Sequence, residues 1–358
     1  MVMRVLIMAG GTGGHIFPAL AVADELRAKG TEVTWMGTKQ GMESDVVPKA
    51  GIEIDWISMS GIRGKGLSGW LKAPFKVMKA ISEAVSIVRK RKPDVVLGMG
   101  GFAAGPGGVA AWLTGTPLLV HEQNSIAGMT NKALSLFARK IMIAFPGAFV
   151  GKKVVDVGNP LRGNILKVDA PEKRFAGRTD ELRLLVIGGS LGAVALNKTV
   201  PEALGQLPDS IRTSIWHQTG KRNLEETQVF YKDAGVEARV VPFIDDMAEA
   251  YSWADIVICR AGALTVAELA AVGVGSILVP FPHAVDDHQT TNAKYLVDND
   301  AAVCIQQNDF DASTLAAILT DYAHNRAKLL MMANAARQLA RPDSTDQVAA
   351  LCMEVANV

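Results

Sequence analysis

Three glycine-rich segments hold the first readable chemistry: GGTGGH at 10–15, GMGGFAAGPGG at 98–108 and GGSLGA at 188–193. A tight glycine turn from strand to helix lets backbone N–H groups approach a phosphate, and the helix N-terminus adds partial positive charge. One such loop is equally compatible with close strand–helix packing. Three in one chain point to a ligand that carries a diphosphate. The dinucleotide fingerprint is not met, because GxGxxG from Gly11 would need glycine at Ile16, and from Gly10 it would need glycine at Thr12. GGSLGA fails as well. Met36, Gly37 and Thr38 stand where a ribose-binding acid would close the second strand, and no GxxxxGK[ST] occurs. Hydride transfer and P-loop phosphoryl transfer are disfavoured.

A second constellation follows the apolar run Asp255 to Cys259, where RAGALTVAELAAVG reads as a glycine turn opening a helix near Ala263. The N–H groups of Ala263, Leu264 and Thr265 would face phosphate oxygens, while Glu268 can accept both hydroxyls of a ribose or simply complement the helix dipole. PFPHAVDDHQTTNA then places His288, Gln289 and Asn292 around another helix start, with amides suited to sugar hydroxyls. Asp286 and Asp287 read as helix-start caps in preference to metal ligands. Asp298-Asn299-Asp300 and Asp309-Phe310-Asp311 match DxD in form and read as turns.

The elements that must position these residues alternate between apolar strands and helical patterns. Strands are expected at Arg4–Met8, Glu32–Met36, Asp94–Leu97, Pro117–Val120, Leu182–Ile187, Ser214–Gln218, Arg239–Val241, Asp255–Cys259 and Ser276–Val279. Helices are expected between most of them, for example Pro18–Lys29 and Thr265–Ala271. This is the βαβ alternation of an α/β, doubly wound fold. VLIMAGGTGG at 5–14 and LLVIGGSLGA at 184–193 repeat the same strand–glycine–helix scheme half a chain apart. Two similar domains follow, with a ligand expected in the cleft between them and a polar linker over Gly158–Glu181.

Composition narrows the class of protein. The 358 residues hold 37 Lys and Arg against 36 Asp and Glu, a net charge of +1, which argues against a chain devoted to nucleic acid. Cys259, Cys304 and Cys352 show no metal-ligand or CxxC spacing, and fit a reducing cytoplasm. The N-terminal apolar run is too short for a signal-peptide core. Val95 to Val120 lacks charge, yet its glycines together with Pro106 and Pro117 favour strand, loop, short helix and strand over a membrane span.

GGTGGH, GMGGFAAGPGG, HEQN, GNPLR, GGSLGA and CRAGALTVAE, in this order, resemble the bacterial UDP-N-acetylglucosamine:lipid I N-acetylglucosaminyltransferase family. The resemblance spans nearly the whole chain. It implies the GT-B architecture, two Rossmann-like doubly wound domains facing a deep cleft. Residues 1–162 with 342–358 would form an acceptor- and membrane-facing domain, and 163–341 the UDP-N-acetylglucosamine-binding domain. It also implies inverting transfer of GlcNAc from its UDP donor to the C4 hydroxyl of MurNAc in lipid I, giving lipid II for peptidoglycan. Donor contacts carried over by motif are Thr12, Gly13, Gly14, Asn124, Arg162, Ser190, Ile244, Ala263, Leu264, Thr265, Val266, Ala267, Glu268 and Gln289. Ile244 would meet uracil through its backbone. The chain departs from the family at Leu191, Ala267 and Phe102, where Gln, Ser and Tyr are common.

Inverting transfer needs a base opposite a stabilised leaving group. His15, at a helix start that disfavours the imidazolium, is the expected base, with His121 and Glu122 as competitors. Ser190, Arg162 and the N–H groups of Ala263 to Thr265 could receive the diphosphate, so no cofactor is required, although divalent cations could stimulate. A polyprenyl acceptor demands contact with the bilayer. Residues 62–92 carry nine basic residues (Arg63, Lys65, Lys72, Lys76, Lys79, Arg89, Lys90, Arg91, Lys92) against Glu83, interleaved with Trp70, Leu71, Phe75, Met78 and Ile81. That pattern suits an anionic membrane surface. A peripheral protein on the cytoplasmic side of the inner membrane is expected, with cell-wall synthesis and division proteins as further partners. The alternatives are another GT-B UDP-sugar enzyme, such as a glycolipid synthase or UDP-GlcNAc epimerase, and a silent nucleotide-sugar sensor.

Overall fold

The computed structural model describes residues 2–59, 66–178, 181–189 and 191–356. The chain divides into two compact units, Met1–Arg162 with Asp343–Val358, and Gly163–Pro342. Among the described residues the first unit holds seven strands: β1 (Arg4–Met8), β2 (Glu32–Gly37), β3 (Glu53–Trp56), β4 (Val95–Gly98), β5 (Leu118–Glu122), β6 (Lys140–Ile143) and β7 (Val154–Asp156). All neighbours pair in parallel, in the order β3-β2-β1-β4-β5-β6-β7. The second unit holds β8 (Leu182–Ile187), β9 (Thr213–Gln218), β10 (Arg239–Val241), β11 (Ile256–Cys259), β12 (Gly275–Leu278) and β13 (Ala302–Cys304), ordered β10-β9-β8-β11-β12-β13. Each unit therefore starts at its sheet centre and winds outward in both directions. The strand order reverses between β1 and β4, and again between β8 and β11, which is where such sheets bind ligands at their carboxyl ends.

Both faces of each sheet are covered, which is why the strands read as continuous apolar runs. In β1, Val5 and Ile7 pack against helix Gly13–Ala28 (Ile16, Leu20, Ala23) and the C-terminal helix Ser344–Ala356 (Val348, Cys352). Leu6 and Met8 point the other way, into Ala84, Ile87 and Val88 of helix Gly66–Arg91. The C-terminal helix is tied down by Thr345 Oγ1, which accepts from Leu161 N and donates to Leu161 O, each at 3.1 Å. Lys29 also meets Asp346 at 3.1 Å.

The structure departs from sequence expectation in several places. The stretch 158–181 is not a plain linker: it forms helices Gly163–Leu166 and Pro171–Phe175, with Ile165, Pro171 and Arg174 buried. The Arg174 guanidinium donates to Tyr251 O at 3.3 Å and to the carbonyls of Val272 and Gly273, binding helix ends to this segment. Its polar composition reflects this structural work. Strands β3, β6, β7 and β13 escape the apolar-run criterion because they are short or half-exposed. Helix Gly13–Ala28 begins five residues before Pro18, so the proline lies inside the helix and Gly13, Gly14 and His15 form its first turn. The charge-free run resolves as β4, helix Ala104–Thr114 and β5. No helix among the described residues is long and apolar enough to cross a membrane.

Candidate functional site

In the first unit the loops after β1, β4 and β5 converge. Gly10 and Gly101 approach so closely that a Cβ on Gly101 would strike the Gly10 carbonyl, and Gly101 sits at φ +84°, so glycine is required there on both counts. His15 lies over Gly100, where a Cβ would come within 2.6 Å of Nδ1. His15 Nδ1 is 3.1 Å from Gln123 Oε1, and Gln123 Nε2 donates to Met99 O at 2.8 Å. Thr12 opens the helix without a side-chain cap, its carbonyl accepting from His15 N and Ile16 N. Arg162 is half-buried, its guanidinium 5.0 Å from the Phe17 ring centre.

The two competing bases take other roles. Glu122 is buried and its carboxylate accepts from Asn124 N at 3.0 Å, Gly128 N at 3.0 Å and Asn131 Nδ2 at 2.8 Å, so it shapes the loop that carries Asn124. His121 is fully buried, its Nε2 is 2.9 Å from Gly158 O, and burial pulls its pKa down to about 4. It is held as a neutral structural histidine. Sequence reasoning missed Glu43, a fully buried acid in helix Glu43–Lys49. Its carboxylate accepts from Gly11 N at 2.9 Å, Thr38 N at 3.0 Å and Thr38 Oγ1 at 2.7 Å. The first glycine loop thus already spends one N–H on a carboxylate.

In the second unit, the loop after β8 is held through its carbonyls. Gln218 Nε2 donates to Gly189 O at 2.8 Å and Asn223 Nδ2 to Leu191 O at 3.3 Å. Ser190 lies outside the described residues. Helix Ala263–Val272 opens after Gly262 with Ala263, Leu264 and Thr265 as its first turn, whose N–H groups precede the helical ladder that starts with Val266 N to Gly262 O. Glu268 is buried further along, and Tyr251 Oη donates to its Oε2 at 3.0 Å. Val266 is fully buried, and Ala267 offers only a methyl. Ile244 is buried, 5% exposed.

Gln289 Oε1 accepts from Phe281 N at 2.9 Å, so its amide nitrogen is the end it can present to a ligand. Asn292 does not face sugar hydroxyls: it is fully buried and donates to Ala261 O at 3.2 Å, bracing the turn before the phosphate-type helix start. Asp287 accepts from Thr290 Oγ1 at 2.7 Å. Asp311 caps helix Ala312–His324 by accepting from Thr314 N at 2.8 Å, a turn role for one DxD. No cluster of metal-ligating side chains occurs among the described residues.

On helix Gly66–Arg91, Phe75 and Met78 are exposed beside Lys76 and Lys79, while Ala73, Ala80 and Ala84 face inward. Arg63 and Lys65, and the side chains of Trp70, Leu71 and Lys72, lie outside the described residues. Arg91 is not a surface cation of this face, because it pairs with Asp55 at 2.6 Å and Glu53 at 2.5 Å. Helix Ala104–Thr114, packed alongside, adds exposed Trp112 and Leu113, with Phe137 5.0 Å from Trp112 between ring centres. The two helices lie against each other although they are separated in sequence by β4.

Two parallel, doubly wound units with glycine turns at their switch points define the class of nucleotide-binding α/β proteins. The glycosyltransferase family 28 N-terminal domain matches residues 5–143 and its C-terminal domain matches 183–348. The chain belongs to glycosyltransferase family 28. It is 54% identical, over 100% of both chains, to the UDP-N-acetylglucosamine--N-acetylmuramyl-(pentapeptide) pyrophosphoryl-undecaprenol N-acetylglucosamine transferase of Nitrosococcus oceani. It is 53% identical to the Marinobacter nauticus enzyme of the same name, over 99% of this chain and 98% of that one. The crystal structure of Acinetobacter baumannii MurG superposes with a TM-score of 0.84 at 44% identity, covering 98% of this chain and 99% of that one. A Listeria monocytogenes structure described as a UDP-N-acetylglucosamine 2-epimerase, at 14% identity with a TM-score of 0.69 over 97% of this chain and 95% of that one, shares the fold alone.

Proposed function

We propose that this chain transfers GlcNAc from UDP-GlcNAc to the C4 hydroxyl of MurNAc in lipid I, forming lipid II with inversion at the sugar carbon. The observation that carries the reading is full-length 54% identity to a transferase named for that donor and acceptor. In the reaction, the acceptor oxygen bonds to C1 of GlcNAc and its proton passes to His15. The bond from C1 to the β-phosphate oxygen breaks, and its electron pair leaves with UDP. The helix start at Ala263–Thr265 meets diphosphate charge as it develops, with Ser190 and Arg162 supplying further donors. Glu268 accepts ribose hydroxyls, Gln289 donates to the sugar, and Ile244 addresses uracil by its backbone. Thr12, Gly13, Gly14 and Asn124 line the sugar side.

In this reading the protein works peripherally on the cytoplasmic face of the inner membrane. The exposed Phe75 and Met78 flanked by Lys76 and Lys79 support that contact, since apolar side chains between cations suit anionic lipid. Cell-wall synthesis and division proteins are partners the location would bring within reach. The test is UDP release from UDP-GlcNAc with and without a short-chain lipid I analogue, followed by mass spectrometry. A GlcNAc–MurNAc product that forms only with the analogue is expected. Release of UDP without that product would return the function to another UDP-sugar reaction.

A further inference from the structure

We propose that Gln123 is a positioning residue that fixes which imidazole nitrogen of His15 carries the proton; this rests on reading His15 as the base. Gln123 is 1% exposed and sits just beyond the end of β5. Its Nε2 lies 2.8 Å from the carbonyl oxygen of Met99, and a carbonyl can only accept, so the amide orientation is dictated by chemistry. Oε1 therefore points at His15 Nδ1, 3.1 Å away, and an amide oxygen can only accept there too. Nδ1 must be the protonated nitrogen. In the neutral ring the lone pair then resides on Nε2, which is the atom that takes the acceptor proton.

The parts that enforce this come from three adjacent strands. His15 follows β1, Met99 and Gly100 follow β4, and Gln123 follows β5, and β1-β4-β5 are neighbours in the sheet. Gly100, at φ +94°, leaves room for the ring, since a Cβ there would press on Nδ1. A neutral amide orients the ring without adding a negative charge that would hold the imidazolium once formed. A carboxylate at 123 would orient the ring as well, but it would raise the basicity of His15 and could donate to Met99 O only when protonated.

The experiment uses the full chain with His15 observed by 15N-histidine NMR, alongside pH profiles of kcat/KM for a lipid I analogue. Gln123→Met should lower kcat about tenfold, as expected for loss of an orienting hydrogen bond, leave KM for UDP-GlcNAc within twofold, and turn the single Nδ1-protonated signature into a tautomer mixture. Gln123→Glu, nearly isosteric, should recover most of kcat at high pH and move the acidic limb of the profile upward. A Gln123→Met protein with unchanged tautomer signature and wild-type kcat/KM would overturn the proposal. Should that variant fail to fold, an unshifted acidic limb in Gln123→Glu overturns it equally. If His15→Ala kept its turnover, the base reading would fall, while the tautomer signature would still decide the role of Gln123.

Discussion

The glycine loops of the two units look alike in sequence, GGTGG against GGSLG, but the groups behind them differ. Glu43 grips the first loop by a backbone N–H, placing a buried carboxylate directly beneath Gly11. Gln218 and Asn223 grip the second by its carbonyls, using neutral amides. Coulomb energy between unit charges a few ångströms apart is about 4 kcal/mol at a near-surface dielectric, so an anion is discouraged at the first loop and tolerated at the second. Glycine spacing reports that a backbone can approach a ligand closely. On the proposed reading, the neutral amides behind the second loop suit the donor diphosphate, while the carboxylate behind the first loop disfavours a phosphate in contact with Gly11.

The largest test of that division is His15→Ala. Removing a general base should lower kcat by about 10²- to 10⁴-fold. UDP affinity, measured by calorimetry, should stay within threefold, because in the proposed reaction His15 takes the acceptor proton and makes no contact with the diphosphate. Comparable losses in both quantities would break the comparison at its centre.

Buried histidines supply the next test, and here the units should behave alike. Burial lowers His121 in the first unit to about 4, and His217 in the second to about 3, from an ordinary value near 6.5. The unfolded chain therefore binds more protons than the folded one below pH 6.5, so stability is full above that pH and falls as pH drops toward 4. At about 1.4 kcal/mol per pH unit, roughly 3 kcal/mol is at stake for His121 and roughly 5 kcal/mol for His217. Urea midpoints should fall together for probes in both units as the pH is lowered. His121→Gln should flatten the slope reported from the first unit alone, and an unchanged slope there would remove His121 from the account.

Glu43→Ala should destabilise the first unit by about 2 kcal/mol in urea titration, since it strips the buried acceptor from Gly11 N, Thr38 N and Thr38 Oγ1. The second unit should be unaffected. Equal losses in both would mean that the carboxylate does more than hold its own loop.

Why these partners were not legible is a matter of distance along the chain. The strands β1, β4 and β8 and the glycine turns after them announce themselves locally, because burial on both faces forces an apolar run and a positive φ at Gly11, Gly100 and Gly189 forces glycine. His15, Glu268 and Gln289 were nameable from local motif and family resemblance. Glu43 meets a glycine 32 positions before it, and Gln123 meets a histidine 108 positions before it. Tyr251 meets Glu268 across a strand and a turn. Nothing at those positions marks a polar residue as bound for the site until the sheet order brings the strand ends side by side. The polar stretch 158–181 misled for the related reason that Arg174 is buried by helix ends contributed from about 80 and 100 residues away.

The smallest effect sharpens the comparison most directly. Asn223→Asp puts a carboxylate beside the second loop, at a half-buried position where the charge stays partly solvated. The side chain keeps its size but loses the amide donation to Leu191 O and Thr219 O. UDP affinity should fall about threefold to tenfold, the scale of one partly screened charge near the surface. Raising the salt concentration should narrow the gap to wild type, because screening acts on the new charge and not on the lost hydrogen bonds. Asn223→Ala, which loses the same donations without gaining a charge, should show no such salt response. If the two variants respond to salt alike, the charge behind the loop is not what separates it from its counterpart over Glu43.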